Sequence, residues 1–154
     1  WHLNLRLHSA PSNPYAYVQT STDLLQLVKR VEELAAVTRD GRHLFIAVIA
    51  AADETWPLPW YLRSFDRVGF WTQLPAERAV FEAPLVITSS GLVGAALLAR
   101  ESTAPGGAAA AGASALGVRP ALSYGLREGV FLTLHVEPGL WGRFMEKRGA
   151  RRAR

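Results

Sequence analysis

The chain contains no cysteine, which excludes disulfide bonds, thiolate metal sites and a cysteine nucleophile. It contains no run of about 18 apolar residues, so the sequence predicts no membrane-spanning segment. The N-terminus also lacks the charged and then apolar pattern of a signal peptide. The 154 residues are enough for one compact domain, and an apolar fraction of 49% allows a sizeable core.

The sequence also lacks the short motifs by which many enzymes are recognised. Neither glycine-rich nucleotide-binding motif is present, and Ser89-Ser90-Gly91 does not match the nucleophile motif G-x-S-x-G. The four histidines show no metal-ligand spacing, and His135 lies in an apolar run that is typical of a core histidine. The adjacent acids Asp53 and Glu54 are typical of a solvated loop end. We therefore predict no catalytic residue, cofactor or metal site in this chain.

Basic charge is concentrated at the C-terminus. The net charge is +4, but five of the 17 basic side chains lie in the last eight residues, KRGARRAR. The rest of the chain is close to neutral, since it carries 13 acidic side chains. We therefore predict no basic groove on the folded body and no specific nucleic-acid binding. Residues 148–154 are expected to form a solvated basic tail, or alternatively a tail that contacts anionic lipid or, without specificity, nucleic acid.

Predicted strands and helices alternate along the chain. An amphipathic helix follows a strand at 14–20; we expect Thr20 and Asp23 to form its capping box and the Asp40-Gly41 turn to end it. Other runs predict strands at 43–52, 67–71, 83–90 and 129–136. Helices are predicted at 59–65, from residue 91, and from Pro138 to about Lys147. This order predicts a layered α/β fold with a largely parallel sheet and flanking helices, Rossmann-like but without a nucleotide fingerprint.

The predicted organisation is one domain between two short ends. Residues 1–13 have no clear periodicity and are interpreted as a connecting arm, and residues 14–147 as a single α/β domain. Inside this domain, residues 104–117 are rich in alanine and glycine and are expected to form a flexible loop.

The most distinctive segment is TWPLPWYLRSF, residues 55–65. Ligands of open α/β sheets lie beyond the carboxyl ends of the strands. Three segments follow predicted strands: Thr20-Ser21, Asp53 to Tyr61, which includes most of this aromatic stretch, and Ser89-Ser90-Gly91. We expect them to converge at one edge, where aromatic faces stack on sugar rings and Arg63 contacts a phosphate. The candidate ligand-binding residues are Trp56, Trp60, Tyr61, Arg63, Trp71, Thr20, Ser21 and Ser89. The alternative is that the aromatic side chains only close one end of the core.

Several longer motifs occur in an order that resembles a known family. They are NPYAYVQTSTDLLQLVKRVEELA at 13–35, IAVIA and WPLPWYLR within 46–63, VGFW at 68–71, and YGLREGVFLTLHVEPGLW at 124–141. Together they resemble the C-terminal soluble region of polytopic membrane proteins of the glycosyltransferase-C superfamily, the flippase-activity-associated or mannosyltransferase-like family. The resemblance covers roughly residues 13–145, except for the Ala/Gly-rich insert.

This resemblance implies a membrane-associated domain on the extracytoplasmic face, with the transmembrane part of the same parent chain as its partner. It implies that the parent is a glycosyltransferase that uses a polyprenyl-phosphate sugar, with its catalytic carboxylates in the membrane part. The domain would then assist recognition of the lipid-linked sugar or the glycan acceptor. The sequence departs from the family pattern at Glu128, where a proline is expected, and at Phe70, where a tyrosine is expected.

Two other interpretations of the sequence remain open. One is a structural or protein-interaction module that braces a membrane domain. The other is a free-standing soluble α/β binding domain.

Overall fold

The computed structural model describes residues 21–92, 116 and 119–152. The predicted arm at 1–13, the strand at 14–20, the capping residue Thr20 and most of the helix from residue 91 lie outside the described residues. The Ala/Gly-rich loop at 104–117 also lies outside them, apart from Leu116.

Helices and strands alternate in the first part of the described chain, and a hairpin and a long helix end it. The helices are α1 (Asp23–Ala35), α2 (Ala52–Thr55), α3 (Leu58–Tyr61), α4 (Arg78–Phe81) and α5 (Pro138–Arg152). The strands are β1 (Ile46–Ile49), β2 (Val68–Trp71), β3 (Leu85–Ser89), β4 (Ala121–Arg127) and β5 (Val130–Val136).

The strands form one five-stranded sheet in the order β2-β1-β3-β5-β4. β1 is parallel to β2 and to β3, whereas β5 is antiparallel to both β3 and β4. The predicted α/β fold with flanking helices is therefore confirmed. The sheet is mixed: its β2-β1-β3 part is parallel, as expected, and the β4-β5 hairpin adds an antiparallel part.

The core lies on both faces of this sheet, which explains why β1 is apolar without interruption. Ile46 and Val48 pack in a large cluster with buried residues of α1, α3 and α5. Ala47 and Ile49 face the other way and pack with Phe81 of α4. Because successive strand residues alternate between the faces, a strand buried on both sides needs apolar residues at every position.

Helix α1 has the predicted apolar face but not the predicted capping box. The helix begins at Asp23, directly after its cap residue Thr22, and the Thr22 side chain forms no capping hydrogen bond. The Asp23 backbone N–H donates to Ser21 Oγ (3.2 Å), and its carboxylate accepts from the Gly125 N–H (3.4 Å). The capping box is thus wrong, because Asp23 has a partner on β4 instead.

Two further elements differ from the sequence predictions. The patterns do not predict β4, whose sequence alternates exposed and partly buried residues and lacks a long apolar run. Its turn does carry a signal, since Gly129 has φ of +74°, a left-handed conformation that favours glycine. Helix α5 continues to Arg152, beyond the predicted end near Lys147, so the start of the predicted tail is helical.

Candidate functional site

The carboxyl ends of β1, β3 and β4 lie at the same edge of the sheet, because these three strands run in the same direction. Asp53, after β1, accepts a hydrogen bond from Arg127 at the end of β4 (3.3 Å). Next to β3, a Cβ atom placed on Gly91 would lie 3.5 Å from Glu54 Oε1. The Ser21 N–H donates to the Leu126 carbonyl oxygen (2.8 Å). The structure therefore brings together the segments that follow these strands; Thr20 lies outside the described residues.

The segment after β1 presents two tryptophans to solvent. Trp56 and Trp60 are 56% and 57% exposed, whereas Leu58 and Leu62 beside them are 0% and 1% exposed. Both leucines belong to the core cluster that also contains the apolar face of α1. The two leucines anchor the segment, and the two tryptophans do not serve to close the core.

Arg63 is held against Trp60. Its guanidinium carbon lies 4.2 Å from the centroid of the Trp60 ring, and its Nη1 donates to the Trp60 carbonyl oxygen (2.7 Å). This cation–π contact covers one face of the indole and fixes its orientation. One guanidinium N–H of Arg63, on Nη1, is therefore already engaged within the segment.

Tyr61 and Trp71 have the packing role that the alternative interpretation foresees. Tyr61 is partly buried against the cluster under α1. Trp71 packs against the cluster on the opposite face of the sheet, edge-on to Phe45 at a centroid distance of 6.5 Å. The Trp71 ring also lies over Gly69, where a Cβ atom would collide with it. Tyr61 and Trp71 therefore differ from the exposed tryptophans in that they pack against the core.

Ser89 lies at the predicted edge but inside the protein. Its side chain is fully buried, and its Oγ has no hydrogen-bond partner among the described residues. The Glu54 Oε2 atom is likewise buried and without a partner in this part of the chain. Leaving a buried polar group unbonded costs about 1–3 kcal/mol. Ser89 therefore contributes an inward-facing hydroxyl at this edge and no accessible ligand contact.

His135 is a core histidine, as its apolar surroundings in the sequence predict. It is 8% exposed, and its Nε2 lies 3.1 Å from Thr88 Oγ1 on the neighbouring strand. Burial lowers the pKa of His135 to about 4; the backbone of Leu116 opposes this shift, and the positive charge of Arg119 adds to it. At neutral pH the imidazole is therefore uncharged.

A basic cleft lies between α1 and α5, and the sequence analysis does not anticipate it. The cavity has a volume of about 520 Å³ and is lined by Gln26, Lys29, Arg30, Glu33, Ala36, Val37, Tyr124, Phe144, Lys147 and Arg148. Four of these residues are cationic and one is acidic. The prediction of no basic groove concerned the chain without its last eight residues, and two of these four cations, Lys147 and Arg148, belong to those eight, which helix α5 brings onto the folded body. Charge balance along the chain does not show which side chains two packed helices bring together.

The described residues show neither a membrane-spanning helix nor a metal site. Within 21–92 and 119–152, no helix is both long and apolar enough to cross a bilayer. The same part of the chain contains no group of three or more His, Asp or Glu residues placed to hold a metal ion.

Comparison with protein-family models, curated proteins and solved structures finds no match for this chain. Its function is therefore inferred from its own residues, and first from the exposed tryptophans.

Proposed function

We propose that this chain is a non-catalytic extracytoplasmic domain of a membrane glycosyltransferase-like protein, and that it helps to recognise a glycan acceptor or a lipid-linked sugar. The observation that carries this proposal is the exposed pair Trp56 and Trp60, held on a backbone that Leu58 and Leu62 anchor in the core. The same segment contains WPLPWYLR, the most specific motif of the family resemblance.

The chemistry of an exposed tryptophan suits a carbohydrate. One face of a sugar ring presents C–H groups and is apolar, and its rim carries hydroxyl groups. An indole offers a large flat apolar surface with few rotatable bonds, so little side-chain entropy is lost on binding. Large apolar side chains grouped on a surface commonly mark an interaction site. Two exposed indoles within five residues therefore favour a ligand whose apolar ring faces stack on them.

The neighbouring residues have different roles in this proposal. Trp56 and Trp60 stack on sugar rings, and Arg63 orients Trp60 and offers its remaining N–H groups to a hydroxyl or phosphate oxygen. Tyr61 and Trp71 support the surrounding packing. Catalysis belongs to the membrane part of the parent protein, with which this domain shares its chain.

The proposal is tested by removing one indole. In a calorimetric titration with a mannose oligosaccharide and with a short-chain isoprenyl-phosphate mannose, Trp60→Ala is expected to weaken binding by about fivefold or more, because a stacked aromatic contributes roughly 1 kcal/mol or more. Circular dichroism and thermal melting are expected to stay close to those of the parent, since the side chain is exposed. Met145→Ala is the control, because Met145 is 46% exposed on α5 and lies outside this segment.

Two outcomes contradict the proposal. Equal affinity of Trp60→Ala and the parent protein for the mannose oligosaccharide would show that the tryptophan pair is not the binding surface. Absence of any sugar binding, together with binding of a partner protein, would favour the protein-interaction module instead.

A further inference from the structure

The basic cleft between α1 and α5 has the size and composition of a ligand site. Gln26, Lys29, Arg30 and Glu33 follow the spacing that places residues on one helical face, and Phe144, Lys147 and Arg148 do so on α5. The two faces enclose about 520 Å³. This volume falls within the range of roughly 300–1,000 Å³ that is typical of small-molecule pockets.

The positive charge of this cleft is not balanced by the described protein groups. Glu33 forms an ion pair with Arg30 (2.9 Å). Among the residues that the structure describes, Lys29, Lys147 and Arg148 have no carboxylate within ion-pair distance. Like charges around one cavity repel each other, and a bound anion converts this repulsion into attraction. The cleft therefore favours an anionic ligand.

Two of the cationic side chains are already positioned by the fold. The Arg30 guanidinium lies 5.1 Å from the centroid of the Phe144 ring, and its Nε is buried without a hydrogen-bond partner among the described residues. Lys147 Nζ donates one hydrogen bond to the Ala36 carbonyl oxygen (3.2 Å). An ammonium has three N–H donors, so two remain for a ligand. Because these groups are held before binding, less entropy is lost when an anion arrives.

The remaining walls of the cleft are less polar. Tyr124 of β4 is partly buried and packs against the core, and the rings of Tyr124 and Phe144 line the same cavity as Val37. Such walls suit an apolar or aromatic group attached to the anion.

We infer that the basic cleft binds a phosphate monoester or diphosphate group carried on an apolar or aromatic body. This chemistry is shared by soluble phosphorylated compounds and by lipids with a phosphate headgroup. The inference does not depend on the proposed sugar recognition, because none of the residues of the tryptophan segment lines the cleft.

The experiment uses the full 154-residue chain and two variants with the same loss of charge. Lys29→Gln/Arg148→Gln removes two exposed cations of the cleft. Arg67→Gln/Arg78→Gln removes two exposed arginines that do not line it. Each protein is titrated with phenyl phosphate and inorganic pyrophosphate by calorimetry. Each is also sedimented with phosphatidylcholine vesicles that either contain or lack phosphatidic acid.

A soluble ligand is indicated if phenyl phosphate or pyrophosphate binds the parent protein and the Arg67/Arg78 variant, and the cleft variant binds at least about tenfold more weakly, as expected for lost charge-assisted hydrogen bonds. A lipid headgroup is indicated if only vesicles with phosphatidic acid bind, again with loss in the cleft variant. The inference is overturned if both variants bind equally, because total charge would then suffice, or if none of the probes binds. The titration of Trp60→Ala with the mannose oligosaccharide, which carries no phosphate, reports on a different segment, so failure of one proposal is distinguishable from failure of the other.

Discussion

Residues of the same type have different environments in this protein, and the environment decides their role. Trp60 is more than half exposed above a buried leucine, whereas Trp71 is partly buried over Gly69. The absence of a side chain at Gly69 makes the space that the Trp71 ring occupies. The buried pair of His135 and Thr88 is a second case, in which a titratable residue is part of the core.

The burial of His135 predicts a loss of stability in mild acid. Its pKa is about 4 in the folded protein and about 6.5 in an unfolded chain, because burial disfavours the charged form. Above pH 6.5 both states hold a neutral imidazole, and its contribution is fully present. As the pH falls from 6.5 to 4, only the unfolded state takes up the proton, so the free energy of unfolding decreases, by at most about 3 kcal/mol. Below pH 4 this contribution no longer changes.

The measurement is urea unfolding at several pH values between 7 and 4 for the parent protein, His135→Gln and His43→Gln. As the pH falls, the free energy of unfolding of His135→Gln is expected to decrease less steeply than that of the parent protein. His43→Gln, which changes an exposed histidine paired with Asp66, is expected to lose stability as steeply as the parent protein. All acidic side chains are retained in the three proteins, so the comparison of His135→Gln with the parent protein isolates the contribution of His135. Identical slopes for the parent protein and His135→Gln would show that this histidine is not the source.

At the scale of elements, short helices depend on their packing. α3 has four residues, too few to be stable by backbone hydrogen bonds alone, so its position depends on the burial of Leu58 and of the following Leu62. α1 is longer and buries a complete apolar face, and its Asp23 also bonds to β4. The exposed tryptophans are thus presented by an element whose own stability comes from the core beneath it.

Leu58→Ala is expected to reduce the free energy of unfolding by about 2–5 kcal/mol, because it removes a fully buried side chain and leaves a cavity. The matched control is Leu25→Ala on α1, where the leucine is 52% exposed and the expected change is within about 0.5 kcal/mol. Urea unfolding of both variants gives the comparison. If the two substitutions cost the same, Leu58 does not anchor α3.

At the scale of the whole molecule, the two proposed surfaces lie on one layered domain but are formed by different helices. The tryptophan pair follows the parallel strand β1, and the basic cleft lies between α1 and α5. None of the described helices is able to span a membrane. In the proposed function, the membrane anchor is the transmembrane part of the parent chain that the family resemblance implies.

The proposed transmembrane part predicts the content of the gene. Sequencing in frame upstream of the Trp1 codon is expected to reveal several runs of about 20 apolar residues, the length that a helix needs to cross a bilayer, with acidic residues in the first outward loop. A start codon within a few residues of Trp1, with no such run before it, would remove the membrane assignment. The tryptophan pair would then require a soluble ligand.

The sequence by itself determined the elements whose signal is local. The 3.6-residue spacing of Leu24, Leu27 and Val31 predicts α1, and the apolar runs predict β1, β3 and β5. The α/β class follows from their order. These predictions succeed because the periodicity of a helix or strand is visible in residues that are close together in the sequence. Which faces of the element are buried decides which of these residues are apolar.

Only the tertiary structure decided which residues meet. Arg127 pairs with Asp53, 74 positions away, and Lys147 donates to Ala36, 111 positions away. The basic cleft arises from such contacts, and so does the division between exposed and partly buried tryptophans. Local patterns do not specify contacts of this kind, because the free energy that selects them comes from packing distant elements against one sheet. A tryptophan therefore looks the same in the sequence whether the fold covers it or leaves it in solvent.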